Sequence, residues 1–341
     1  MKFKVVLSVV AFTLLLPVEY SWAVPCDPLD PNFVCGLKNA EDLVRLGDTP
    51  WIVASHLDYS ISGGNAVFGP HGPVEAVRID THQVHQLYPA PDAHNDWDRS
   101  MYPDCSRPPE GFSSHGLNVL RLGARNFRLL VANHGGRESV EIIDVSIRHS
   151  QPVATWRGCI RAPHGINPNA LAPLPHGGVA LSGGQVAIWR PKRGWKAIEG
   201  IQKEANGIEA SHDGRWLFVN LYGEQTIVRV PVAGGPVDTI FRGDFTPDNL
   251  RWGEDGMLYV AGQYPGNHPG WIACRAKNLQ LCDVGFVVAQ IDPATLATKE
   301  VLRSDGLKGF FGAATTALQV GDHFWLGSFW GDRVAILSTK Q

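Results

Sequence analysis

The chain has 341 residues, and its 30 Lys and Arg against 33 Asp and Glu leave a formal net charge of -3. This balance gives no bulk attraction to nucleic acid or to an anionic membrane surface, so both are excluded as partners. The chain also contains 37 Gly, 24 Pro and only 3 Met, and charged residues make up 18% of it. Such a composition favours strands and turns over a helical bundle.

The first 23 residues have the features of a secretory signal. Lys2 and Lys4 precede an apolar run, and Ser21 and Ala23 stand three residues and one residue before a cleavage point. The run is shorter than the roughly 20 residues that a membrane span needs, so an uncleaved anchor is the less favoured alternative, and no later stretch approaches that length. We predict a signal peptide over 1–23, a single domain over 24–341 and a secreted or periplasmic protein without a membrane span.

The cysteines support an oxidising compartment. Their number is even and all six follow the predicted cleavage point, a pattern that predicts three disulfides in an exported chain. Loop closure favours pairing between near neighbours. The expected pairs are Cys26 with Cys35, Cys274 with Cys282, and therefore Cys105 with Cys159.

One sequence pattern recurs along the whole chain. Residues 205–241 contain four short apolar runs separated by an Asp-Gly turn, a looser turn and a Gly-Gly turn, which predicts four antiparallel strands. Copies of this unit begin near residues 40, 114, 168, 247 and 311. We therefore predict an all-β fold, a six-bladed β-propeller with four-stranded antiparallel blades. The alternative, a pair of β-sandwiches, does not explain why one pattern returns six times.

Polar residues recur at the start of the first strand of each copy. In a propeller this strand runs beside the central channel, so equivalent positions form a ring around one axis. The last copy offers only hydroxyls, between Ala313 and Thr316. The other five copies carry Glu41 and Asp42, His115, Asn169, Asn206, and Asp248 with Asn249.

Carboxylate and amide oxygens are the ligands that Ca²⁺ prefers, whereas zinc calls for a Cys and His set that this ring lacks. The alternative is that Asn-Gly and Asp-Asn pairs simply form turns at the blade entrances. A turn requirement, however, does not explain why these residues each precede an apolar strand at the channel. The sequence therefore predicts one Ca²⁺ ion in the channel.

The ordered series EDLVRL, SSHGLN, VANHGGRESVEIIDV, NALAPLP, ANGIEASHDG and PDNLRWGEDG resembles the superfamily of paraoxonases, gluconolactonases of the senescence-marker type and arylesterase-like propellers. The resemblance covers nearly the whole of 24–341. It implies a pair of histidines beside the metal, and His115 and His134 fall in the matching segments. It also implies a catalytic calcium held by Glu41, Asn169, Asn206, Asp248 and Asn249.

The sequence departs from the paraoxonase pattern in two places. A second, structural calcium would use an acid directly after the channel asparagine, where this chain has Ala170, so Asp42 alone gives poor grounds for a second ion. Paraoxonases also join the two chain ends by a disulfide, and no cysteine follows Cys282 here. We therefore expect strand pairing to close the ring of blades.

These features predict a calcium-dependent hydrolase of lactones or aryl esters. The chain has no GxSxG or HExxH motif, in agreement with attack by water on a metal-polarised carbonyl. His115 is the expected base, with Glu41 or Asp248 as alternatives, and His134 is its partner or else a strand-end histidine bonded to backbone. Alternative functions are a ligand-binding propeller without catalysis, strictosidine-synthase-like chemistry and phosphotriester hydrolysis. The oligomeric state and the particular substrate stay open.

Two long loops are candidates to roof the pocket. They cover residues 90–111 and 264–285 and exceed the usual length of blade loops. Their aromatic residues would line a site for a hydrophobic substrate, the alternative being plain surface loops held by disulfides. These residues are Trp97, Tyr102, Tyr264 and Trp271.

Overall fold

The structure, a computed structural model, describes residues 24–62, 65–201, 204–277 and 281–340. The predicted signal at 1–23 lies outside these residues. The described chain is almost entirely β-structure, with one α-helix, α1 (Pro269–Lys277), and a 3-10 turn at Pro175–Gly177. No helix in these four ranges has the length and apolar character needed to cross a membrane.

The strands are short and follow one another closely, as the frequent Gly and Pro predict. The first half of the chain contains β1 (Phe33–Cys35), β2 (Leu43–Arg45), β3 (Trp51–Ala54), β4 (Tyr59–Ser62), β5 (Asn65–Phe68), β6 (His71–Gly72), β7 (Val74–Arg78), β8 (Val84–Tyr88), β9 (His94–Asn95), β10 (Phe112–Arg121), β11 (Asn126–Asn133), β12 (Ser139–Arg148) and β13 (Gln151–Arg161). The second half contains β14 (Leu171–Leu174), β15 (Gly178–Gly183), β16 (Gln185–Arg190), β17 (Gly194–Ala197), β18 (Ala205–Ala210), β19 (Trp216–Leu221), β20 (Thr226–Pro231), β21 (Asp238–Arg242), β22 (Thr246–Trp252), β23 (Leu258–Gln263), β24 (Phe286–Ile291), β25 (Thr298–Ser304), β26 (Ala314–Val320), β27 (His323–Ser328) and β28 (Arg333–Ser338).

The strands form a propeller of antiparallel four-stranded blades. In the described chain, five sheets have four strands each: sheet 1 is β2-β3-β7-β8, sheet 3 is β14-β15-β16-β17, sheet 4 is β18-β19-β20-β21, sheet 5 is β22-β23-β24-β25 and sheet 6 is β1-β28-β27-β26. Sheet 2 has six strands in the order β6-β10-β11-β12-β13-β9. The prediction of six four-stranded blades therefore departs from the structure at sheet 2. There the antiparallel strands β10–β13 are joined by two short parallel strands from the preceding loops.

Strand pairing closes the ring, as predicted. β1, from the N-terminal end of the described chain, pairs antiparallel with β28 at the C-terminal end, with Val34 opposite Val334. The three disulfides join the predicted partners, Cys26 to Cys35, Cys105 to Cys159 and Cys274 to Cys282. These bonds indicate an oxidising environment, periplasmic or extracellular.

Apolar side chains fill the space between neighbouring sheets. Val44 of sheet 1 and Leu117 of sheet 2 share one cluster, and Val77 of sheet 1 and Leu318 of sheet 6 share another. Corresponding clusters join sheets 2 and 3, 3 and 4, 4 and 5, and 5 and 6. Because each sheet packs on two neighbours, the first strands β2, β10, β14, β18, β22 and β26 are held around one central channel.

Candidate functional site

The ring residues, which are the predicted channel residues Glu41, His115, Asn169, Asn206, Asp248 and Asn249, lie at or beside irregular parts of the first strands. The ladders between first and second strands shift register between Ser114 and Leu117, between Ala205 and Ile208, and between Pro247 and Leu250. A bulge of this kind turns a side chain away from the regular alternation and is frequent beside active sites. The pairs that occupy these bulges are His115-Gly116, Asn206-Gly207 and Asp248-Asn249.

Glycine follows the ring residue in two sheets because the neighbouring backbone leaves no space for a side chain. A Cβ on Gly116 would collide with the carbonyl oxygen of Asn169, to which the Gly116 N–H already donates a hydrogen bond at 2.9 Å. A Cβ on Gly207 would collide with the carbonyl oxygen of Asp248 in the same way. Gly116 and Gly207 do not have the positive φ of a turn glycine. The alternative that an Asn-Gly pair simply forms a turn is therefore wrong at Asn206-Gly207, which lies within β18.

The polar side chains of the ring meet in the channel, as the repeat predicts. The Asn249 amide donates to Glu41 Oε1 at 2.6 Å, and the side chains of Asn206 and Asp248 are hydrogen-bonded. His115 Nε2 lies 3.5 Å from Asn169 Nδ2 and 3.9 Å from Glu41 Oε2. Residues 41, 115, 169, 206, 248 and 249, from five different sheets or their entrances, thus form one cluster.

Four oxygens of this cluster are buried without a hydrogen-bond partner. A buried polar atom in that state is costly unless something absent from the protein chain satisfies it. All four are oxygens, the atom type that binds hard cations such as Ca²⁺. They are Glu41 Oε2, Asn169 Oδ1, Asn206 Oδ1 and Asn249 Oδ1.

The charges of the cluster also call for a cation. Burial, with the Asp248 carboxylate and then Asp42 adding to it, holds the pKa of Glu41 well above its usual range. Burial likewise raises the pKa of Asp248 to about 7. Two carboxylates that resist ionisation side by side are stabilised by a divalent ion between them. The residues present therefore fit a single Ca²⁺. In the described ranges no group of three or more His, Cys, Asp and Glu residues is placed to hold a metal, the ring included, so the proposed ion depends on amide oxygens as well as on the two carboxylates.

The two predicted histidines are in direct contact. His115 Nδ1 and His134 Nε2 are 2.9 Å apart, and His134 Nδ1 lies 2.7 Å from Glu138 Oε2. The Glu138 carboxylate accepts from His134 Nδ1–H, and in the same hydrogen-bond chain His134 Nε2 accepts from His115 Nδ1–H. This hydrogen-bond order leaves the lone pair of His115 Nε2 facing the ring. Burial, with the neighbouring His134 adding to it, holds the pKa of His115 well below its usual value, so the neutral form is favoured.

Two residues of this arrangement are missing from the sequence-based prediction. Glu138 follows His134 by four residues, in the turn between β11 and β12, and a spacing of four has no special meaning outside a helix. Phe68, on the hairpin formed by β4 and β5, stacks on His134 with ring centroids 3.8 Å apart. The hairpin interrupts the first copy of the repeat between β3 and β7. This interruption is the sequence signal that could have indicated Phe68.

The ends of the second strands support the ring from behind. Gln263 Nε2 donates to Asp248 Oδ2 at 2.7 Å, and Asn133 Oδ1 accepts from the Ser113 backbone at 2.9 Å. Ser55 Oγ accepts from the Asp42 backbone at 2.8 Å. These side chains are fully buried and fix the bulged backbone on which the ring residues sit. The other second strands carry polar residues at the last or next-to-last position: Ser182, Asn220 and Ser328.

A pocket of about 420 Å³ opens beside the cluster. Its aromatic residues are Phe68 and Tyr222, so the four aromatics suggested by the long loops are not its lining. Trp97 packs against the cluster between sheets 1 and 2, and Tyr102 lies in the cluster between sheets 2 and 3, because strand β9 fixes their loop to the edge of sheet 2. Trp271 is buried and stacks on Phe329, with ring centroids 5.6 Å apart, in a cluster that includes Tyr264.

No protein-family model and no curated protein matches the sequence. Solved structures do match. A structural-genomics protein of unknown function from Bacteroides thetaiotaomicron gives a TM-score of 0.53 at 10% identity, over 89% of this chain and 70% of that one. Hydrazine synthase from Kuenenia stuttgartiensis gives 0.51 at 16% identity, over 89% and 77%. Virginiamycin B lyase from Staphylococcus aureus gives 0.48 at 10% identity, over 91% and 96%.

At these identities the similarity is one of fold. It agrees with the propeller seen in the sheets and does not select the paraoxonase and gluconolactonase superfamily among propellers. The chemistry of the channel site, rather than the fold, therefore indicates the function.

Proposed function

We propose that this chain is a calcium-dependent hydrolase of lactones or aryl esters, exported to the periplasm or beyond. The observation that carries the proposal is the set of four buried, unpartnered oxygens around Glu41 and Asp248. Glu41, Asn169, Asn206, Asp248 and Asn249 would hold the ion. When bound, Ca²⁺ would polarise the substrate carbonyl and stabilise the negative charge that develops on its oxygen.

The histidine pair supplies the base. A water beside the ring would give its proton to His115 Nε2, because that lone pair faces the cluster. The Nδ1 proton of His115 then moves toward His134 Nε2, and the His134 Nδ1 proton moves toward the Glu138 carboxylate. Glu138 is 40% exposed in its side chain, so the relay leads from the buried ring to solvent. Microscopic reversal of these transfers returns a proton to the departing alcohol.

The pocket also bears on substrate class. Phe68 lies against His134, and Tyr222 stands across the pocket with its hydroxyl donating to Gln263 Oε1 at 2.8 Å. Aromatic walls beside a polar centre suit an apolar or aromatic substituent on the ester or lactone.

The test is hydrolysis of a panel of lactones and aryl esters before and after EDTA, with Ca²⁺ added back. We expect EDTA to abolish hydrolysis and Ca²⁺ to restore it, and we expect Ca²⁺ to raise the melting temperature. Activity that survives complete chelation would contradict the calcium mechanism. Calcium binding without hydrolysis of any panel member would favour the alternative of a non-catalytic ligand-binding propeller.

A further inference from the structure

A guanidinium lies in the channel directly below the ring. Arg251, two residues after Asn249 in β22, has a side chain that is only 5% exposed. Its Nε donates to Leu43 O at 2.9 Å, its Nη1 to Leu250 O at 2.6 Å and its Nη2 to Leu117 O at 2.7 Å. The three carbonyls belong to β2, β22 and β10, which are first strands of three different sheets.

Two buried carboxylates complete the surroundings of this guanidinium. Asp42 forms an ion pair with Arg251 Nη2, and Glu209 Oε2 lies 3.7 Å from Nη1. Asp42 Oδ2 also accepts from the Leu117 N–H at 2.7 Å, and Glu209 accepts from Asn118 Nδ2 at 3.1 Å. Carbonyl and carboxylate oxygens gathered from several strands are the surroundings expected of a metal ion. In this channel the positive charge at that place is the Arg251 guanidinium and not a bound ion.

The carboxylates of the channel thus fall into two layers. Asp42 and Glu209 share Arg251, whereas among the described residues neither Glu41 nor Asp248 forms an ion pair with a lysine or an arginine. Glu41 precedes Asp42 directly, and Asn249 shares strand β22 with Arg251. The contacts of Arg251 therefore hold the backbone on which two ring ligands sit.

We propose that Arg251 is a built-in cation of the channel: it occupies the place below the ring that a second metal ion would otherwise take, and through Asp42 and β22 it positions Glu41 and Asn249 to bind a single divalent ion. This rests on the proposed function in one respect, namely that the ring binds Ca²⁺. Arg251 is a positioning residue, since nothing places it against substrate.

The experiment measures Ca²⁺ bound per chain and Ca²⁺ affinity by calorimetry on the metal-free full chain, without any activity readout. We expect one Ca²⁺ per wild-type chain. Arg251→Met keeps an unbranched side chain as far as the position of Nε and removes the guanidinium with its charge, leaving Asp42 and Glu209 unpaired. It should weaken Ca²⁺ affinity by about tenfold or more, as loss of an outer partner of metal ligands does, and Arg251→Lys should recover part of the loss.

Two control variants separate positioning from general damage. Arg229→Met removes an arginine that pairs with Asp238 at the surface, and Val145→Ala destabilises the buried β12 opposite Phe127, at the end of sheet 2 away from the ring. Both should keep wild-type Ca²⁺ affinity, even where Val145→Ala lowers the melting temperature. If Arg251→Met does not fold, the number of Ca²⁺ ions bound by the wild-type chain and the Ca²⁺ affinity of Arg251→Lys still test the role of Arg251.

The outcomes distinguish this inference from the proposed function. Two Ca²⁺ ions per wild-type chain, or one ion bound with unchanged affinity in both Arg251 variants, would overturn the role of Arg251 and leave the calcium ring standing. No Ca²⁺ bound by the wild-type chain would overturn both.

Discussion

The side-chain oxygen of a ring asparagine distinguishes a turn-forming residue from a candidate metal ligand. An asparagine that merely formed a turn would use its oxygen locally, yet Asn206 Oδ1 is buried and unpartnered while the same side chain bonds to Asp248. That oxygen costs free energy unless a group outside the protein chain, such as the proposed cation or a water, satisfies it. If the ring binds Ca²⁺ as proposed, folding and Ca²⁺ occupancy are linked at this residue.

Asn206→Ala is expected to remove much of the thermal stabilisation by Ca²⁺ together with hydrolysis. For wild type, an ion at about a hundred times its Kd adds about 2.7 kcal/mol to the free energy of unfolding. Differential scanning calorimetry with and without Ca²⁺ measures this gain. Asn126→Ala, on the exposed start of β11, is the matched control and should keep the full gain. An equal gain in Asn206→Ala would count against the ring.

Glu138→Gln tests the relay from solvent to His115. The change removes the charge that orders the protons on His134 and His115 but keeps the size of the side chain, so kcat should fall by about tenfold to a hundredfold. KM and Ca²⁺ affinity should stay near their wild-type values because Glu138 does not reach the ring. Glu110→Gln, at an exposed surface glutamate, serves as control. A wild-type kcat in Glu138→Gln would remove Glu138 from the mechanism.

At the scale of the elements, the bulges of the first strands turn a repeated sequence into the geometry of the proposed metal site. A regular strand would send alternate side chains between the sheets, where the apolar residues of β10, β18 and β22 already pack. The extra residue in each bulge releases the ring side chain toward the axis and brings the backbones of neighbouring first strands into contact. Glycine is required where that contact is closest.

Gly207→Ala should therefore damage both stability and metal binding. The added methyl would strike the Asp248 carbonyl, and Asn249 Cα and Asn220 Nδ2 lie within 2.9 Å of its position. We expect a loss of about 1–3 kcal/mol in the free energy of unfolding and a weaker Ca²⁺ affinity. Urea unfolding and calorimetry check the two effects. Gly331→Ala, where a Cβ meets no atom within 4 Å, should be neutral; equal behaviour of the two variants would refute the close approach.

The strand β7 carries a carboxylate that makes stability depend on pH. Burial raises the pKa of Glu75 to about 7, and His56 Nδ1 lies 3.9 Å from its Oε2. The folded pKa exceeds the unfolded one, so the folded state binds more protons, and this group costs stability as pH rises from about 4.5 to 7. Glu75→Gln should thus raise the free energy of unfolding by up to about 3 kcal/mol at pH 8 and by little at pH 4. A pH-independent effect in chemical denaturation would refute the assignment.

At the scale of the whole molecule, the polar residues of the channel can form a ring only if the circle of sheets is closed. Six apolar clusters join the sheets in a circle, and the circle is completed within sheet 6 by β1, whose Val34 is fully buried. The β1 strand comes from the opposite end of the described chain to β26, β27 and β28. Since the proposed ligands come from sheets far apart in sequence, any opening of the circle should loosen the proposed metal site.

Removal of residues 24–36 should expose the edge of β28 and open the ring. We expect a lower melting temperature, a tendency to aggregate through the free edge and weaker Ca²⁺ binding. Size-exclusion chromatography and calorimetry follow these effects. Leu29→Ala, at a residue that is 87% exposed in the same segment, is the control and should behave as wild type. A monomeric truncated chain with wild-type Ca²⁺ affinity would show that closure by β1 is dispensable.

Sequence alone determined the repeat, the four-stranded unit, the disulfide partners and the ring positions from Glu41 to Asn249, because each depends on local spacing and on a symmetry that aligns the copies. Only the tertiary structure determined the remaining features. These are the two parallel strands of sheet 2, the stacking of Phe68 on His134, the hydrogen bond between His134 and Glu138, and the place of Arg251 below the ring. These depend on contacts between segments whose separation follows no period. The unpartnered oxygens likewise appear only when every possible donor around them has been placed in space.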